Sequence, residues 1–161
     1  MEIASQYRLA DFTDRLVGFE LEHQLIDRDG GPLSFGFMQT VWASFAACGW
    51  DLHQDPVFDV TGGATKSFSG RTVTLSSDTS AGNLELALPP MATVADGERL
   101  RRAVFEDVVQ VTADHHVRVC ALGMHPGTCG DLDGLRLRSN LYWALEQWAG
   151  SAGSTTACRC R

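Results

Sequence analysis

Four acidic residues stand where carboxylates could hold a divalent cation: Glu20 and Glu22 in VGFELEHQLI, and Asp78 and Glu85 in TLSSDTSAGNLELALPP. Like charges on neighbouring strands disfavour one another's ionised forms unless cations or donors intervene. A hard cation with oxygen ligands is the simplest reason for such a set to share one surface. Along 16–25, Val17, Phe19, Leu21 and Leu25 alternate with Gly18, Glu20, Glu22 and Gln24, so the period of two puts both glutamates on one face. Leu84, Leu86 and Leu88 alternate with Asn83, Glu85 and Ala87, which turns Glu85 away from the leucines. Asp78 precedes the turn candidate TSAG, where an aspartate can also serve only to shape the turn. Alternation alone does not establish that the two acidic faces meet.

The elements that must position these acids follow from local patterning. The DRDGG run at 27–31 closes the first strand. Met38, Val41, Trp42, Phe45 and Cys48 recur at helical spacing, with Ser34 as N-cap and Gly49 as the stop. No regular element is assigned to 50–60, and TGGATKSFSG at 61–70 is expected to be a turn-rich connector; its paired glycines lack the GK[ST] ending of a phosphate-binding loop. A strand is expected over 71–75, and the strand through Glu85 is expected to end at Pro89 and Pro90, which cannot donate to a ladder. Thr93 with Asp96 opens a long helix running to about His115, followed by a short strand over 117–122 and the loop GMHPGTCGDLDG. Ser139 could cap a last helix with Leu141, Leu145 and Trp148 as its stripe. These elements form one domain over 1–150, of α+β class with an antiparallel sheet and flanking helices. The segment 151–161, which lacks hydrophobic periodicity, is expected to be a disordered tail.

Composition narrows the function classes. The 161 residues suffice for one well-buried domain, and 44% apolar with 20% charged residues is ordinary globular usage. A formal charge of −7 without a basic block argues against nucleic acid as a partner. No apolar run approaches the roughly 20 residues of a membrane span, and the polar start MEIASQYRLADFTDR does not read as a signal peptide, so a cytoplasmic protein is expected. Five cysteines at irregular spacing suit reduced thiols; Cys158 and Cys160 lack the second ligand pair of a zinc site.

The order of features resembles the amino-terminal half of the glutamate-cysteine ligase family, in particular its bacterial carboxylate-amine ligase branch. GFELE is similar to the family's GxExE strand, and SDTSAGNLELALPP to its D-x6-E hairpin with a proline-rich end. ALGMHP and SNLYWALEQW resemble the strand-to-loop segment and the aromatic helix that follow. The resemblance implies part of a glutamine-synthetase-like catalytic fold, whose curved sheet holds ATP and magnesium. It also implies an ATP-dependent ligase that phosphorylates a carboxylate, of glutamate or a similar substrate, and lets an amine displace phosphate to give an amide. On this resemblance Glu20, Glu22, Asp78 and Glu85 are the magnesium ligands. His125, in the loop before Pro126, is a candidate substrate contact, with a plain structural histidine as the competing reading; Arg71 and Lys66, near the hairpin, could reach phosphate or carboxylate, with surface solvation as the competing reading.

The resemblance also implies further strands, metal ligands and arginines beyond the carboxyl end of these residues. The chain is therefore expected to be truncated and inactive alone, with an exposed sheet edge open to homo-oligomer formation. The alternative is a non-catalytic remnant that binds nucleotide or metal, or serves as a protein-interaction module. An unrelated α+β domain with surface acids is the remaining possibility.

Overall fold

A computed structural model describes residues 16–78 and 80–122, together with His125, Ala144 and Gln147. Within it, six strands form an antiparallel sheet: β1 (Val17–Ile26), β2 (Asp51–Asp55), β3 (Val60–Phe68), β4 (Arg71–Ser77), β5 (Asn83–Met91) and β6 (Arg118–Cys120), in the order β2-β3-β4-β5-β1-β6. Helices α1 (Phe35–Ala47) and α2 (Val94–Asp114) both contribute to the one core cluster. The expected α+β class and antiparallel sheet are thus observed.

Two rows of residues running across the sheet explain its chemistry. Leu21, Leu86, Leu75, Ala64 and Leu52 are register partners through five adjacent strands. This row faces the helices, and Leu86, Leu75 and Ala64 are fully buried with Val41, Trp42 and Phe45 of α1 and Val104 and Val108 of α2. One residue along each strand lies the second row, Glu22, Glu85, Ser76, Gly63 and His53. Because side chains alternate, fixing the apolar row against the helices fixes this polar row on the other surface.

The helix ends follow their local chemistry. Ser34 Oγ accepts from the Phe37 amide at 3.2 Å, and Gly49 closes α1 at φ 80°. Thr93 Oγ1 accepts from the Asp96 amide at 3.1 Å and donates to its carboxylate at 2.7 Å. Asp27 Oδ1 accepts from the amides of Asp29 and Gly31, making the turn after β1.

Three local expectations require correction. The connector expected over 61–70 is largely β3, because β2 and β4 pair with it on both sides and override the weak strand preference of its glycines. A Cβ at Gly63 would stand 2.7 Å from the Leu75 carbonyl, so this glycine permits close strand approach. The unassigned 50–60 stretch contains β2 and a turn in which Asp55 Oδ1 accepts from the Val57 and Phe58 amides. Pro89 and Pro90 do not end β5. They lie beyond its ladder with β4, which spans Thr74↔Ala87 to Ser77↔Leu84, and beside a register shift in the pairing with β1. Of the helix expected from Ser139, Ala144 and Gln147 are described, and both are helical and exposed. The rest of that helix, Cys158, Cys160 and the tail lie outside the described residues.

A polar latch closes the helical layer over the outer strands. Lys66 Nζ donates to Asp107 Oδ2 at 2.6 Å and to the Cys48 carbonyl at 2.8 Å, and the Trp50 indole donates to the same Asp107 oxygen at 2.9 Å. The lysine also lies over the Trp50 and Phe68 rings. The Lys66 ammonium is thus committed to joining β3 with both helices.

Candidate metal centre

Glu22 on β1, Asp78 just after β4 and Glu85 on β5 can place one carboxylate oxygen each within 4.8 Å of the others. Their convergence has a direct cause in the strand pairing. Glu22 and Glu85 occupy one register position of the β1–β5 ladder. The turn between β4 and β5 then returns Asp78, whose amide donates to the Asn83 carbonyl at 3.0 Å, to the end of the same surface.

The cluster is electrostatically loaded. Burial raises the pKa of Glu85, and the charges of Asp78, Glu20 and Glu22 raise it further, while a hydrogen bond with Ser76 opposes them. Asn83 Nδ2 donates to Glu22 Oε2 at 3.4 Å and helps orient that carboxylate. Glu22 is exposed, whereas Asp78 and Glu85 are half-buried. Hard oxygen donors from three positions fit a magnesium or manganese ion, which would neutralise the crowded negative charge.

The four acids chosen from sequence are therefore not equivalent. Glu22, Asp78 and Glu85 meet; Glu20 shares their face opposite Ala87, one alternation along β1, and acts on Glu85 through space. His125 is half-buried. Arg71 stands at the opposite end of β4 from Asp78, about 23 Å away along an extended strand. It alternates with Thr72 and Thr74, on the same side as the buried Val73 and Leu75. Ser76 and Asn83 are the contributors that the acidic pattern alone did not single out. The alternation of Thr74 and Ser76 with Val73 and Leu75 carried the signal for the first.

The outer half of this face carries no acid on β3. Beyond Gly63, the Gln39 side chain of α1 accepts from the Thr61 amide at 2.8 Å and donates to its carbonyl at 2.9 Å. Gln54 donates to the Thr61 hydroxyl at 2.9 Å. This pins β3 where its pairing with β2 shifts register between His53 and Gln54.

An antiparallel sheet thus carries helices on one face and three converging carboxylates on the other. The chain belongs to the glutamate-cysteine ligase family 2, whose model matches residues 16–154. Membership implies, at the level of the family, a carboxylate-amine ligase-like function. No curated protein and no solved structure matches the chain.

Proposed function

We propose that this polypeptide carries the magnesium-binding face of an ATP-dependent carboxylate-amine ligase. The observation that supports this reading most directly is the convergence of Glu22, Asp78 and Glu85 from separate positions of one sheet. In the reaction, a substrate carboxylate, of glutamate or a similar acid, attacks the terminal phosphorus of ATP and releases ADP. An amine then attacks the resulting acyl phosphate, losing a proton and expelling phosphate to give the amide.

The residues divide the work by position. Glu22, Asp78 and Glu85 would hold the cation, and Glu20 would adjust the field around it. A bound divalent cation would supply charge neutralisation for the phosphates. Asn83 and Ser76 orient Glu22 and Glu85 by the hydrogen bonds described above. His125 is assigned a substrate contact in this reading. A cytoplasmic location suits an ATP-consuming ligase, and no described helix is long and apolar enough to cross a membrane. The β1–β6 ladder spans only Gln24 to Ile26, so the earlier part of β1 has no described strand on that side. A second copy pairing there is part of the proposal.

Titration calorimetry of the full chain with magnesium and manganese tests the central claim. Saturable binding that weakens at least about tenfold in Glu85→Gln and Asp78→Asn is expected, because each change removes a charged oxygen ligand. No binding by the wild-type chain, or equal binding by both variants, would sink the reading.

A further inference from the structure

The cleft between the β3–β4 hairpin and the first turns of α2 is a separate surface with its own charge pattern. It measures about 600 Å³ and is lined by Ser67, Ser69, Arg71, Asp96, Arg99 and Leu100, among others. The hairpin is a tight one: Phe68 pairs with Arg71, and the residues between them, Ser69 and Gly70, have φ of 50° and 78°. Both positive angles suit a two-residue turn whose twist matches the flanking strands, so Arg71 projects from a firm base.

The two arginines are engaged very differently. Arg99 pairs with Asp96, one turn earlier on α2. That carboxylate is also held by the Thr93 hydroxyl. The Thr93 hydrogen bond, followed by that of Arg99, keeps the Asp96 pKa low, and the Arg71 charge acts on it through space in the same direction, so the acid stays ionised. Among the described residues, the Arg71 guanidinium donates to the Met91 thioether at 3.5 Å. Sulfur is a weak acceptor, and a guanidinium offers five donors in a planar fork that matches an oxyanion. Two guanidinium groups against one already bonded carboxylate leave a net positive cleft on a protein whose formal charge is −7. Ser67 and Ser69 of the hairpin form its wall, and Leu100 supplies an apolar surface.

From this juxtaposition we infer that the Arg71–Arg99 cleft is a second ligand site, taking a small molecule through a phosphate or carboxylate oxyanion. It is distinct from the carboxylate cluster, because Arg71 and Asp78 stand at opposite ends of β4. The inference does not depend on the proposed ligase activity. Arg71 is the principal anchor, and Arg99 supplies the second charge.

Backbone amide shifts of the full chain, followed by NMR during separate titrations with inorganic phosphate and with glutamate, test the site. Saturable shifts at Ser69, Gly70, Arg71 and Gly97 are expected with at least one anion. Affinity should fall about tenfold or more in Arg71→Gln, the cost of losing a charge-assisted bidentate contact. Binding should be retained in Glu85→Gln, which separates this site from the metal centre. Arg71→Lys, which keeps the charge without the fork, should give an intermediate loss and provides a folded comparison if the glutamine variant is unstable. Response to phosphate alone, or to glutamate alone, supports the site and identifies the oxyanion it prefers. Absence of saturable shifts with both anions, or equal affinity in wild type, Arg71→Gln and Arg71→Lys, overturns it.

Discussion

Glu22 and Glu85 face one another across the β1–β5 ladder, two carboxylates at a single register position in the middle of the sheet. Directly opposed like charges destabilise a strand pair. The raised pKa of Glu85, from burial first and then from Asp78, Glu20 and Glu22, expresses that cost. Its stabilising contribution is complete below the ordinary carboxylate pKa and is lost as pH rises through the raised value. Glu85→Gln is therefore expected to melt higher than wild type in EDTA near neutral pH, by a margin on the order of 1 kcal/mol or less given partial solvent exposure. Magnesium should narrow or reverse the difference, while near pH 4 in EDTA the two proteins should converge. Thermal melts under these conditions check both parts.

His23 should impose a stability loss on the acid side. It is buried beside Phe105, with ring centroids 4.7 Å apart, and burial lowers its pKa, with Arg101 adding to the effect and a backbone hydrogen bond at Leu21 opposing it. The stability of the neutral ring is fully present above the ordinary histidine value of 6.5 and declines as pH falls through the lowered value. His23→Phe keeps an aromatic ring against Phe105 and removes the titration. The stability gap between variant and wild type should shift in favour of phenylalanine between pH 7 and pH 5; parallel denaturant curves across that interval would refute the account.

Asp107 joins Lys66 and Trp50 at one oxygen. Replacing Asp107 by alanine leaves a partly buried ammonium and an indole donor without that acceptor, at an expected cost of about 2 kcal/mol. The pair Lys66→Met with Asp107→Leu should cost less than Asp107→Ala alone, because no charge is then left behind. Urea denaturation of the three proteins gives the comparison directly.

Gly97 on α2 should reverse the usual sign of a helix substitution. Alanine in a helix interior is ordinarily favoured over glycine by about 1 kcal/mol. Here a Cβ would collide with the Phe19 ring, so Gly97→Ala is expected to destabilise by about 1–3 kcal/mol. Combining it with Phe19→Leu should recover part of that loss. Additive costs in the double-mutant cycle would show that the ring does not set the constraint.

Much of this arrangement was legible where one strong local signal governed it. Ser34 and Thr93 announced the helix starts, and alternation around Glu20, Glu22 and Glu85 set their faces correctly. β3 was hidden because Gly62 and Gly63 carry turn-like local preferences, whereas pairing on both sides decides their conformation. The continuation of β5 through Pro89 and Pro90 was hidden for a related reason: a missing donor matters only where a neighbouring strand needs it. Lys66 and Arg71 were indistinguishable as basic residues near a hairpin. Only tertiary packing commits the first to Asp107 and leaves the second beside the cleft.

The one-residue offset between the leucine row and the acidic row makes the protein unequally tolerant of different genetic changes. A point substitution in Glu22, Ser76 or His53 alters one position of the polar surface while the leucines retain their places. Deleting a single codon from β1, β4 or β5 would instead force a choice: keep the leucines inward and shift the loop, or keep the loop and exchange inward with outward along that strand. Such deletions should therefore be purged far more strictly than substitutions in these strands, because they make ligand geometry and folding compete for the same frame.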